Sequence, residues 1–175
     1  MPNGHQLDTL DLALLTALRD KPRAGILELS RTLRVARATV QSRLDRLERA
    51  GVITGYGPDI DIAAAGFPVQ AYVTLEIVQG ALADVSADLS AIAGVVEAYA
   101  TTGSGDVLCR VAAASHEHLQ KILLRLNAST SVARSTSVVV LSTVVAPRVL
   151  SLLLSSTSEP TTMTRAPAFR QHRGE

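Results

Sequence analysis

Along the first twenty residues Leu7, Leu10, Leu14, Leu15 and Leu18 recur at helical spacing, Asp8 and Asp11 lie where a first turn favours carboxylates, and Pro22 ends the pattern. The same period returns in ILELSRTL through Ile26, Leu29 and Leu33. After the short link RVA it appears again in Val40, Leu44 and Leu47, and Gly51 follows where glycine favours a helix end. Three short helices, the last two closely joined, outline a helix-turn-helix. The next stretch, VITGYGPDIDIAAAGF, breaks the period with Gly55, Gly57, Pro58 and Gly66, and reads as an extended linker with room for one strand at Ile60 and Ile62.

Beyond the linker the period becomes two. QAYVTLEI alternates Ala71, Val73, Leu75 and Ile77 against Tyr72, Thr74 and Glu76, which predicts a strand with two unlike faces. ALADVSADLSAIA sets Leu82, Val85, Leu89 and Ile92 on one helical stripe, and HEHLQKILLRLN does the same with Leu119, Ile122, Leu123 and Leu126. Between these helices VVEAYAT and DVLCRVAA read as strands, and STSVVVLSTVV as a last one. Strand, helix, strand, strand, helix, strand is the split βαβ order: an antiparallel ferredoxin-like sheet with both helices on one face. The predicted fold class is therefore α+β, a three-helix helix-turn-helix followed by a ferredoxin-like βαββαβ domain. The corresponding divisions are residues 1–54, a linker 55–67, the sheet domain 68–146 and an extension 147–175. In that extension Val149 to Leu154 can pack as a strand or a turn of helix, and the Ser-, Thr- and Pro-rich remainder is expected to be disordered.

Charge sharpens this division. Nine Lys and Arg between Arg19 and Arg49 face Asp20, Glu28, Asp45 and Glu48, whereas eight acids face four bases between Asp59 and Val145. A basic module that meets a polyanion and an acidic module with another task fit that asymmetry. Aromatic residues make up 3% of the chain and Trp is absent, which argues against stacking platforms for single-stranded nucleic acid or sugars. No basic leader opens the sequence, and Pro147 and Arg148 interrupt its longest apolar stretch, so a cytoplasmic protein without membrane spans is expected.

The chemistry-bearing stretches are two. With Val40, Leu44 and Leu47 turned to a core, the third helix leaves Ala38, Thr39, Ser42, Arg43, Arg46 and Arg49 on or beside its other face. Small residues admit a backbone to the major groove, hydroxyls meet base edges or phosphates, and arginines grip guanine or phosphate with two bonds. The second stretch is TTGSGD, residues 101–106. A phosphate loop would need a helix after the glycines, and VLCRV reads as a strand. A nucleophile at Ser104 would need a histidine base, but His116 and His118 stand two positions apart at a helix start and diverge, which equally disfavours a metal pair. Cys109 alternates within a strand as a core residue. A hairpin turn remains, and its glycines and Asp106 also suit an amino acid, whose ammonium seeks a carboxylate and whose carboxylate seeks N–H donors.

Together LDTLDLALLTAL, ELSRTLRV, ATVQSRLDRLERAGVITGY, the glycine at Gly66, the βαββαβ pattern and TTGSGDVLCRV resemble the Lrp/AsnC, or feast/famine, transcriptional regulators over residues 7 to 146. The resemblance implies a winged-type helix-turn-helix head, a RAM/ACT-like second domain, and no enzyme activity, metal or cofactor. It implies homodimers, assembling to octamers or larger, that bind palindromic double-stranded DNA and answer to an amino-acid effector. By it, the DNA-binding set is Arg34, Arg37, Ala38, Thr39, Ser42, Arg43 and Arg46. The effector-binding set is Thr101, Thr102, Gly103, Ser104, Gly105 and Asp106, with Thr136 and Ser137 from the last strand. This chain departs from the family pattern at Arg34, where Gly is usual, and at Ala36, where a Ser caps the helix. An effector-independent architectural DNA-binding protein is the alternative, and an enzyme subunit built on the ferredoxin-like domain a more distant one.

Overall fold

The computed structural model describes residues 7–156, which divide into two compact units. One contains the residues up to Gly57 together with those from Ala146 onward, and the other is Pro58–Val145.

In the first unit, α1 (Thr9–Asp20) begins at a reciprocal cap. The Asp8 carboxylate accepts from the Asp11 backbone N–H and the Asp11 carboxylate from the Asp8 N–H, which satisfies two of the donors a helix start leaves open. Helices α2 (Ile26–Leu33) and α3 (Arg37–Arg49) follow, and Leu14, Leu29, Val40, Leu44 and Leu47 meet in the core they share. At the end of α3 the Gly51 N–H bonds the Glu48 carbonyl and the Val52 N–H that of Leu47, a Schellman closure.

The link between α2 and α3 carries both departures noted in the sequence. Arg34 adopts the left-handed conformation at φ 57° and ψ 39°, and Ala36 caps α3 without a side-chain hydrogen bond. Arg34→Gly and Ala36→Ser are each expected to stabilise the head by about 1 kcal/mol, the first by relieving the left-handed cost and the second by adding a cap. Thermal unfolding of the two variants checks this; a lower midpoint for Arg34→Gly would mean that the arginine makes a compensating contact.

Residues 54–67 form no strand, in contrast to the room allowed for one. Instead the Asp61 carboxylate accepts from the Ala63 and Ala64 N–H groups and folds the segment into a turn.

The second unit is a four-stranded antiparallel sheet of β1 (Val69–Ile77), β2 (Val95–Ala100), β3 (Val107–Ala113) and β4 (Val132–Val139), in the order β2-β3-β1-β4. Helices α4 (Leu82–Ser90) and α5 (His116–Asn127) cover one face. Ala71, Val73, Leu75, Val107, Cys109 and Val111 point into that layer and meet Val85, Leu89, Ile92, Leu119, Ile122 and Leu126. Burial raises the Cys109 thiol pKa to about 11. Leu82, assigned to the buried stripe, is 48% exposed, because it opens onto a cleft of about 300 Å³ between α4 and β2.

The last strand starts and stops earlier than STSVVVLSTVV suggests. Its partner β1 begins at Val69, the final ladder bond runs from the Val140 N–H to Gln70, and Leu141 and Val144 stand exposed beyond it. Val149–Ser156 then form a helix, α6, which packs on α1 within the first unit. The disorder expected of the extension falls on residues 157–175, outside the described residues.

Candidate functional site

The apolar side of α3 is fixed by the head core, and its flank toward α1 by charge. Asp11 is fully buried, 0% exposed, and receives the Arg43 guanidinium at 3.0 Å and that of Arg46 at 2.5 Å. Arg43 also pairs with Asp8. Hydrogen bonding from Arg43, then from the Asp11 N–H, lowers the Asp8 pKa to about 2. At Asp11 burial opposes ionisation, but the Asp8 N–H and the two guanidinium groups outweigh it and the pKa falls. The capping box therefore has two uses: it begins α1 and it grips α3.

Arg43 and Arg46, expected on or beside the DNA-facing side of α3, are paired with carboxylates on its flank toward α1. Both turn toward α1 and are held there by carboxylates, since i, i+3 spacing brings them onto one flank. The exposed ridge is formed by Arg34, Arg37, Ala38, Gln41 and Ser42, with Thr39 half-buried beside it. Gln41, three residues beyond Ala38, stands on the same exposed side and donates to Asp45 at 2.7 Å. The first turn of α3 carries no acid and no side-chain cap, so its N-terminus and Arg37 together present positive potential. At the other end the Tyr56 hydroxyl donates to Glu48 at 2.6 Å; burial, followed by the neighbouring Glu48, raises its pKa to about 12.

TTGSGD is the hairpin between β2 and β3. The Thr101 N–H donates to the Asp106 carbonyl at 2.8 Å, the Thr101 hydroxyl to the Gly105 carbonyl at 2.9 Å, and the Asp106 N–H to Leu75 at 2.9 Å. Gly103 has φ 119°, which side chains rarely adopt. Gly105 lies so close to β1 that a Cβ would come within 2.2 Å of Thr74 Cγ2. One Asp106 carboxylate oxygen accepts from the Ile77 N–H at 2.8 Å, beside the irregularity in β1–β4 pairing at Glu76/Ile77.

Of the two last-strand residues, only Thr136 shares the loop's corner. It lies opposite Thr74, the residue Gly105 abuts, whereas Ser137 pairs with Val73 and points to the other side of the pleat. The same outer face carries Tyr72, Tyr99 and Val138, all exposed, and the Arg110–Glu97 ion pair at 2.8 Å. Among the described residues no group of His, Cys, Asp and Glu could hold a metal ion, and no helix is long and apolar enough to cross a membrane.

Comparison with known proteins assigns both units. Residues 7–54 match a winged helix-turn-helix DNA-binding family, and residues 70–150 match the Lrp/AsnC ligand binding domain. The HTH-type transcriptional regulator Rv2324 of Mycobacterium tuberculosis is 33% identical over 142 residues, 80% of this chain and 95% of that protein. The Escherichia coli AsnC structure superposes with a TM-score of 0.77 at 24% identity, covering 83% of this chain and 99% of that one. The leucine response regulatory protein LrpA of Mycobacterium tuberculosis gives 0.68 at 30% identity, covering 81% and 97%. A DNA-binding head joined to a ligand-binding sheet domain, in relatives named as transcriptional regulators rather than enzymes, makes this chain a DNA-binding transcriptional regulator of the Lrp/AsnC family.

Proposed function

We propose that the chain binds a palindromic operator as a homodimer through the ridge Arg34, Arg37, Ala38, Gln41 and Ser42, with Thr39 at its edge, and that Arg43 and Arg46 hold α3 in its reading pose. The observation that carries this is the exposed ridge on a helix whose other flank is pinned by carboxylates. Arg37 and Gln41 are suited to guanine and adenine edges, and Arg34 to phosphate. Arg37→Ala and Gln41→Ala are expected to weaken binding to the promoter of the protein's own gene by about 1–3 kcal/mol each, with the preference for that sequence reduced. Fluorescence anisotropy at fixed salt measures this; unchanged affinity in both variants would mean that another surface reads the DNA.

The sheet domain in this reading dimerises through its outer face, where Tyr72, Tyr99 and Val138 are exposed, and assembles further to an octamer or larger. The hairpin 101–106 with Thr136 takes an amino-acid effector, Asp106 facing its ammonium and the glycine loop its carboxylate. The ligand-binding family match supports this, and one structural neighbour, from Neisseria meningitidis, was solved as an L-Met complex.

A second reading, an architectural DNA-binding protein without an effector, is favoured by one observation: the Asp106 carboxylate already serves the Ile77 N–H. Calorimetry with single amino acids on the wild type, Asp106→Ala and Asp106→Asn separates the two. Asn keeps an acceptor for Ile77 but loses the charge, so an ammonium site should lose binding by tenfold or more in both variants, about 1.4 kcal/mol. No heat with any amino acid on the wild type would favour the architectural reading.

A further inference from the structure

Helix α1 carries apolar residues, Leu12 and Ala13, beside the face it turns to the head core, and Ala17 and Leu33 border both. Leu14 lies in that core, whereas Leu12 is equally buried, at 4% exposure, and stands outside it. With Ala13, Ala17 and Leu33, Leu12 lines a groove of about 420 Å³ whose remaining wall includes Leu154 of α6. The sequence of α6, VLSLLLSS, is apolar over most of its circumference with Ser151 and Ser155 together on one side, and eight residues are too few for a helix to persist in water without packing. Leu150 and Leu153, three apart, are its half-buried positions, while Val149 and Leu152 are exposed. Residues 140–148 join it to the end of β4, so the chain returns from the sheet domain to the head. The AsnC and LrpA structures are covered almost completely by about four-fifths of this chain, and the ligand-binding match ends at residue 150, so most of α6 lies outside the matched domain.

We propose that α6 is a clasp of its own chain's DNA-reading head: it seals the apolar side of α1 around Leu12 and Ala13 and thereby sets, through Asp8 and Asp11, the pose at which Arg43 and Arg46 hold α3. The element that packs on this side of α1, and that walls the groove through Leu154, is the segment following β4 in the same chain. This makes Leu150 and Leu153 positioning residues for a helix they do not touch, and it holds whether or not the sheet domain answers to an amino acid.

Two measurements on the full chain test the clasp. In the Leu150→Ser/Leu153→Ser variant, backbone hydrogen exchange of α1 should quicken by about tenfold or more while β1 and β3 keep their protection. The terminal guanidinium N–H resonances of Arg43 and Arg46, which make the carboxylate contacts, should shift toward random-coil positions, and Leu150→Met/Leu153→Met should restore both signals. Unchanged exchange in α1 or unmoved arginine resonances would overturn the proposal. Separately, Ala13→Cys with Leu154→Cys, treated with a short bis-maleimide, should give a bridge within one chain; buried Cys109 does not compete. A covalent dimer as the only product, or no bridge although both cysteines accept a simple maleimide, would overturn the assignment of the packing element.

Discussion

Asp11→Ala is expected to destabilise the head by about 2–4 kcal/mol, because the substitution leaves two guanidinium groups turned toward a buried position with no carboxylate to receive them. The arginines keep part of their surface in water, which brings the effect of Arg43→Ala and of Arg46→Ala below that range, to about 1–2 kcal/mol each. Acid should produce the same loss. Both aspartates have folded pKa values below their unfolded ones, and Asp8 reaches about 2. Their contribution is therefore complete above about pH 4, where the unfolded carboxylates are ionised, and declines below it, that of Asp8 being lost as pH falls through about 2. Hydrogen exchange of α1–α3 between pH 6 and 2.5 measures it, compared with Asp11→Ala, whose pH dependence should be flatter. An Asp11→Ala head as stable as the wild type would show that the clamp does not hold α3. Weakened DNA binding by Arg43→Ala should accordingly accompany a less stable head, and should affect all sequences alike.

Leu75→Ala is expected to cost the sheet unit about 2–5 kcal/mol. Leu75 is fully buried at the centre of β1, its neighbours belong to both covering helices' layer, and its carbonyl receives the Asp106 N–H. The loss should appear as faster exchange across β1, β3 and α5 with the α1–α3 core unchanged. If the head were to loosen by the same amount, the two units would be unfolding as one. A variant that leaves β1 protection intact would mean that the surrounding side chains collapse into the space.

The sequence made both units legible because their faces repeat. The three-helix core and the alternation of Ala71, Val73 and Leu75 follow directly from periods of 3.6 and 2, and residues 101–106 form the hairpin those glycines suggest. What it hid were partners. Helical angles show that Arg43 and Arg46 leave the core side of α3, but not that a second helix waits there with two carboxylates. The D-x-x-D of Asp8 and Asp11 is a cap signal as well as favourable first-turn charge. Leu12 fell outside the one stripe expected of α1, since its side of the helix becomes meaningful only when α6 is known to cover it. The Val-rich run 138–145 reads as strand by propensity, yet the pairing of β4 with β1 stops at Ala71 and Val139, and Leu141 and Val144 stand exposed beyond it. Thr136 and Ser137 are neighbours in sequence and opposed in space for the same reason that made the strand visible.

Cys109 gives the sheet domain a built-in clock. Its sulfur lies at 0% exposure between Val73 and Ala98 on the neighbouring strands, and its thiol stays protonated at neutral pH. A thiol reagent can reach it only when the helix layer of α4 and α5 parts from the sheet. The rate at which the native chain consumes such a reagent therefore counts openings of this core, one event at a time, without any substitution.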